Sequence, residues 1–454
     1  MKLLPFCYAF LCDKIGRKKF CGNGDIMSRF DEQDFDEKRL ARRARRKKSQ
    51  VTAFVILASF VLLLAGVVVF SVYTIKNLLG ISGGGTEAGE AATEATSEEV
   101  VIETPETVEP EAEEMSEEDI LDEVVSGCIQ ELSIEDKVAG LFIVTPEQLT
   151  GVASAVKAGS GTSDALSKYA VGGIVYSAKN IKDEQQITEM LSDTTEMSKY
   201  PLFTVVADTG KKGGVTTSIS IEGITDVTDS DSAHTTAVAL GERLSTYGFN
   251  LDIAPGIDLS DKGAYGTDKD VLKDIVLSYA RGFTENGVGI CFDSFPLKTD
   301  TTAGLTAIDK SKDDLASNEY SIFQAAMEEG YPAAVMMSNA SFENAAGDNT
   351  PASLSSVMID GELRNGLGYN GIVITGPLNE ASITEYYTSE ESAVNAIKAG
   401  ADMIYLPENF EEAYNGLLEA VKSGSIQESR IDDSLRRIYR IKYADKAVEI
   451  KESN

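Results

Sequence analysis

The chain is poor in positive charge: its 454 residues hold 41 Lys and Arg against 73 Asp and Glu, a net charge of -32 at neutral pH. A nucleic-acid binder acting through a basic surface is excluded. Histidine is almost missing, and the single one, His234, sits in SDSAHTTAVALGERL at the start of an expected helix, where it reads as an exposed helix-start residue. Cysteine is scarce as well. Cys7, Cys12 and Cys21 crowd the first 26 residues with a spacing that fits no zinc template, and Cys128 and Cys291 could form at most one disulfide; two unrelated buried thiols are expected. No G-x-G-x-x-G follows the first expected strand, which leaves a nucleotide fold unsupported. No metal and no cofactor are expected.

What is present is unevenly spread. Residues 1–50 carry 14 Lys or Arg and 7 Asp or Glu, so this head is basic while the remainder is strongly acidic. Between them lies VTAFVILASFVLLLAGVVVFSVY, residues 51–73, an uncharged run long enough to cross a hydrocarbon layer about 30 Å thick as a helix. Lys38, Arg39, Arg42, Arg43, Arg45, Arg46, Lys47 and Lys48 precede it, whereas Lys76 and an acidic run follow. The positive-inside rule then predicts one membrane pass, a cytoplasmic N-terminus and an extracytoplasmic body. A cleaved signal peptide fits less well, because the run exceeds the usual apolar core of about 7–15 residues and no A-x-A site follows. Residues 1–26 sit awkwardly in this plan; translation from Met27 and a short membrane-associated tail are both compatible with them. Residues 74–114, rich in Gly, Thr, Glu and Pro, cannot bury enough apolar surface to offset ordering and are expected to form an extended acidic stalk.

From residue 115 onward short apolar runs alternate with amphipathic stretches. The runs are 141–144, 172–177, 202–208, 249–255, 288–296, 333–338, 371–376 and 401–407, and helices are expected from Asp183, over 268–287 with Gly287 as C-cap, and over 317–330 ending at Gly330. Eight strand-helix units predict an α/β fold, a (β/α)8 TIM barrel over 115–446 with a tail over 447–454; an open doubly wound sheet is the alternative. In such a barrel chemistry belongs at the C-terminal strand ends, which here present Asp208, Asp252, Asp258, Asp293, Ser294, Lys298, Asp300, Ser338, Asn339, Gly376 and Tyr405. Carboxylates around one mouth suit a polyhydroxylated ligand, since they accept paired hydrogen bonds from adjacent hydroxyls. Each aspartate taken alone reads equally as a solvated loop residue or a helix cap.

Seven segments carry a resemblance: LSIEDKVAGLFIV (132–144), VGGIVYSAKNI (171–181), FNLDIAPGIDL (249–259), FP-x-x-x-DT (295–301), PASLS (351–355), LRNGLGYNGIVIT (363–375) and AIKAGADMIYLP (396–407). In this order the chain resembles the N-terminal barrel of glycoside hydrolase family 3, most closely its single-domain β-N-acetylhexosaminidases. The resemblance implies retaining hydrolysis of terminal β-linked N-acetylglucosamine, with one carboxylate attacking the anomeric carbon and a second group serving as acid and base. It also implies ligands such as cell-wall glycan or N-acetylglucosamine-containing fragments.

The motifs depart from the family at the residues that react. The nucleophile position is Gly376, and the acid/base position is Lys298. Asp293 and Ser294 stand where the family has a Lys-His pair, Gly263 stands where it has an Arg, and Asn339 follows the sixth strand where a His is usual; of the motif after the third strand only Asp208 survives. Losses gather at the mouth while packing motifs persist. The sequence therefore reads as a membrane-anchored, catalytically silent glycosidase barrel that binds cell-wall carbohydrate or acts as a scaffold, with Asp208, Asp252, Asp293, Asp300 and Asn339 as candidate ligand-binding residues. The alternative is an active β-N-acetylhexosaminidase with relocated groups, Asp293, Asp300 or Glu380 supplying a carboxylate pair, which retaining chemistry needs about 5–5.5 Å apart. A third reading is a structural partner in a membrane assembly, in which the mouth plays no part; neither the partner nor the oligomeric state is specified by sequence.

Overall fold

A computed structural model describes residues 116–208 and 213–453. The basic head, the apolar run 51–73 and the acidic segment 74–114 fall outside the described residues, within which no helix is long and apolar enough to cross a membrane. The strands are β1 (Phe142–Val144), β2 (Gly173–Val175), β3 (Phe203–Val206), β4 (Leu251–Gly256), β5 (Gly289–Phe295), β6 (Ala334–Met337), β7 (Ile372–Ile374) and β8 (Ile404–Tyr405). They form one parallel sheet in the order β7-β6-β5-β4-β3-β2-β1-β8, and a parallel bridge from Ile374 to Met403 brings the two ends together into a nearly closed barrel. The expected barrel is thus present, and the open sheet is not.

The strands read as unbroken apolar runs because both faces are covered. Phe142, Ile143 and Val144 are all completely buried, as are Val205 and Val206. The principal helices are α1 (Glu117–Glu131), α2 (Glu184–Met197), α3 (Ser230–Tyr247), α4 (Lys269–Thr284), α5 (Glu319–Glu328), α6 (Ser389–Ala399), α7 (Phe410–Lys422), α8 (Glu428–Lys442) and α9 (Ala444–Ser453). Their starts follow local chemistry: the side chains of Asp183, Asp229 and Asp268 accept hydrogen bonds from the first-turn amides of α2, α3 and α4. Gly287 and Gly330 close α4 and α5 in the left-handed region at φ 70° and 84°, and the following amides of Val288 and Tyr331 reach back to Phe283 and Ala326. α4 itself stops at Thr284, three residues short of that glycine.

The eighth strand is shorter than its apolar run. Leu406 takes φ 48° and Pro407 has no N–H to donate, so pairing ends at Tyr405. Residues 447–453, expected as a tail, lie within α9. Its Ala447 is buried, and Lys451 pairs with Glu117 of α1 at 2.9 Å.

The N-terminal strand ends form a floor built around Asp402, which is fully buried. Arg364 Nη2 donates to it at 2.6 Å, Arg437 Nη1 at 3.0 Å, Ser434 Oγ at 2.7 Å and the Val373 amide at 2.9 Å. Lys442 of α8 donates to the Gly172 carbonyl at the start of β2. α1 packs on α8 and α9, where Arg440 pairs with Glu118 and Asp122. The body is therefore entered from Ser116 on the floor side, and the mouth opens at the other end. No disulfide joins Cys128 to Cys291, whose thiol is buried and pushed well up by that burial.

Candidate functional site

The C-terminal ends of β5, β6, β7 and β8 surround a cleft of about 240 Å3. That is slightly below the range of about 300–1,000 Å3 usual for drug-sized ligands, and gives room for a ring-sized ligand. Ile253, Met336 and Met337 form its apolar base, and its polar wall comes from Asp293, Lys298, Thr301, Asn339 and Glu380, with Tyr405 at one side.

Asp293, two residues before the end of β5, forms an ion pair with Lys298 from the loop that follows. Lys298 reaches it because Gly256 lies beneath its stem: a Cβ on Gly256 would stand 2.8 Å from Lys298 Cδ. The loop is fixed by backbone bonds as well, the Lys298 amide donating to the Ile257 carbonyl and the Ile257 amide to the Asp293 carbonyl, both at 2.7 Å. Asp293 and Lys298 thus neutralise each other.

A second network crosses the mouth. Asn339, buried after β6, donates through Nδ2 to the Pro377 carbonyl at 2.8 Å and to Glu380 Oε2 at 3.1 Å, while Ser353 Oγ donates to Asn339 Oδ1 at 2.6 Å. Thr301 Oγ1 donates to the same Glu380 oxygen at 2.5 Å. Side chains from four separate segments therefore hold one another.

That network fills the place beside Gly376. A Cβ built on Gly376 would stand 2.6 Å from Asn339 Oδ1, 2.7 Å from Asn339 Cγ and 2.8 Å from the Met337 carbonyl oxygen. Real Cβ atoms do not approach other atoms so closely, and one of the three is backbone. Gly263 is sealed in the same way, its Cβ position lying 2.3 Å from the Asp258 carbonyl oxygen. At both positions the fold has closed over the space that a longer residue would need.

The sequence-derived candidates divide into two sets. Asp293, Ser294, Lys298, Ser338, Asn339, Gly376, Glu380 and Tyr405 meet in the cleft. Asp208, Asp252, Asp258 and Asp300 are not part of its lining. The Asp208 carboxylate is turned into its own loop, accepting from the amides of Val215 and Thr216 at 2.9 and 2.8 Å and from Thr216 Oγ1 at 2.7 Å. Asp252 is completely buried in the barrel wall, where Oδ1 accepts from the Asp208 amide at 2.8 Å and Oδ2 has no hydrogen-bond partner. Burial first, and the Asp208 carboxylate second, push its carboxyl well above the ordinary range. Burial and Asp252 likewise push the Tyr265 phenol up to about 12. Asp300 is exposed and caps its own turn through Thr302, whose hydroxyl and amide hold its carboxyl below the usual value.

His234 lies outside the cleft lining, with Nε2 3.1 Å from Glu285 Oε2. Thr301 and Ser353 were not singled out by sequence reasoning. Thr301 had a signal, as the last residue of the FP-x-x-x-DT motif; Ser353 had none beyond its place in PASLS. Among the described residues no group of three or more His, Cys, Asp or Glu is arranged to hold a metal ion.

Comparison with known proteins agrees with this architecture. The family model for the glycosyl hydrolase family 3 N-terminal domain matches residues 133–441. Beta-hexosaminidase A of Pseudoalteromonas piscicida is 23% identical over 328 residues, covering 62% of this chain and 54% of the relative, so this chain spans about half that protein's length. A glycoside hydrolase family 3 beta-N-acetylglucosaminidase from Paenibacillus sp. str. FPU-7 superposes with a TM-score of 0.63 at 26% identity, covering 70% of this chain and 63% of that one. The beta-N-acetylhexosaminidase of Beutenbergia cavernae shares the fold at a TM-score of 0.60 and 21% identity, covering 69% of this chain and 99% of that one.

Proposed function

The chain belongs to glycosyl hydrolase family 3, and from that premise we propose that it is a non-hydrolysing, membrane-anchored glycan-binding module facing the cell wall. The observation that carries the reading is the closed space at Gly376, where Asn339 and the Met337 carbonyl stand where a nucleophile's side chain would have to fit. Retaining hydrolysis needs a carboxylate on one face of the bond and an acid/base on the other. The first is absent here, and the ammonium at the second, Lys298, is engaged with Asp293. What persists is a polar cleft of ring size. The named activities of the relatives, a beta-hexosaminidase and a beta-N-acetylglucosaminidase, suggest a glycan containing N-acetylglucosamine as its occupant. The uncharged run 51–73 behind a basic head supports the anchor.

The full chain, purified in detergent micelles, is expected to release no chromophore from an aryl β-N-acetylglucosaminide while binding N-acetylglucosamine oligomers in calorimetry. Turnover that disappears in Glu380→Gln would overturn the proposal in favour of hydrolysis by relocated groups, a reading that rests on the Glu380 carboxylate lining the cleft beside Asp293. Absence of glycan binding would favour a structural role within a membrane assembly.

A further inference from the structure

The cleft is lined by two carboxylates and one ammonium, and the ammonium is taken, because Lys298 is paired with Asp293. Glu380 forms no ion pair among the described residues. Its Oε2 is fixed by two uncharged donors, Thr301 Oγ1 at 2.5 Å and Asn339 Nδ2 at 3.1 Å, and its Oε1 accepts no hydrogen bond from a described residue. Asn339 is itself held by Ser353 and the Pro377 carbonyl. The carboxylate is thus oriented from the β5, β6 and β7 loops, with one oxygen and one negative charge unmatched.

An acetamido sugar would offer that carboxylate only neutral donors, whereas an ammonium would add the Coulomb attraction of an opposite charge and cancel the unmatched one. The acidic body adds a long-range field of the same sign, which draws in cations and repels anionic glycans. We infer that Glu380 is a specificity-determining residue that selects a glycan with a free amino group, a glucosamine unit rather than its N-acetylated form, seating the ammonium on Oε1. The inference rests on the glycan-binding reading of the cleft.

The test is calorimetry on the full chain in detergent micelles, with a β-1,4-linked glucosamine tetramer and its fully N-acetylated counterpart. At low salt the glucosamine tetramer is expected to bind about tenfold more tightly. That preference should shrink near 1 M NaCl, where the screening length is about 3 Å, and should vanish in Glu380→Gln. Thr301→Val keeps the charge but releases its orientation, so it should lose part of the preference; it decides the matter if Glu380→Gln lowers the melting temperature. Equal or tighter binding of the acetylated tetramer overturns the inference and leaves the glycan-binding reading standing. A preference that survives in Glu380→Gln also overturns it, assigning the effect to the acidic surface at large. Failure of both tetramers to bind removes the inference together with the reading it rests on.

Discussion

At the floor of the barrel the Asp402 carboxylate, wholly buried, accepts hydrogen bonds from two arginines, a serine and a backbone amide, with a third arginine, Arg430, 3.8 Å away. At the mouth, Asp293 has one half-exposed lysine, and Glu380 has a threonine and an asparagine. The floor ties α8 to the starts of β7 and β8, so its charges maintain the barrel. The mouth ties loops to one another. A mouth charge joins no strand to another, so its loss is expected to leave the barrel closed.

The largest expected effect breaks the floor. Asp402→Ala would leave the partly buried Arg364 and Arg437 without their counter-charge and strip the Val373 amide of its acceptor, a loss of up to about 3–5 kcal/mol on the scale of one-sided removal from buried ion pairs. Urea denaturation should show the midpoint falling sharply, or no folded protein at all. A small shift would mean that the floor charges are as dispensable as those of the mouth, and the comparison would fail.

The next effect concerns the mouth itself. Gly376→Asp places a carboxylate at the mouth but forces its side chain against Asn339 and the Met337 carbonyl, and overpacking of this kind costs about 1–3 kcal/mol. The variant should unfold earlier and still release no chromophore from an aryl β-N-acetylglucosaminide. Replacing Asn339 by Gly in the same chain should return only part of the stability, since the backbone oxygen remains. Recovery of turnover by Gly376→Asp alone would show that the space is open, and that the mouth was disarmed by a single substitution.

How much of this was legible beforehand differs between the two ends. The barrel could be read because strands covered on both faces are continuous apolar runs, and because Asp183, Asp229 and Asp268 stand where helix starts need acceptors. Asp293, Lys298, Asn339, Gly376 and Glu380 could be read because they lie at the C-terminal ends of β5, β6 and β7 or in the loops that follow. Asp252 could not be placed by that rule. Its side chain is wholly buried, with Oδ1 taken by the Asp208 amide from the neighbouring strand end, so it is spent inside the wall. Asp208 follows its strand as expected, but its side chain is claimed by amides seven and eight residues further on. The bond from Thr301 to Glu380 joins residues 79 apart and depends on two loop conformations that no local pattern specifies.

Asp252 also gives the smallest and most discriminating test, because it is as buried as Asp402 yet forms no ion pair among the described residues. Its carboxyl is raised well above the ordinary range by burial and by Asp208, so the folded protein binds that proton more tightly than the unfolded chain does. The resulting stability is fully present below the ordinary carboxyl value of about 4 and is lost as pH rises from there toward the folded value. Asp252→Asn keeps the shape and removes the titration. It should raise stability at pH 7 and flatten the decline measured by thermal unfolding between about pH 4 and 7. The opposite sign, a loss at neutral pH, would mean that the charged form is the stabilised one. Asp252 would then be matched by a counter-charge, as Asp402 is, and the contrast between the two buried aspartates would disappear.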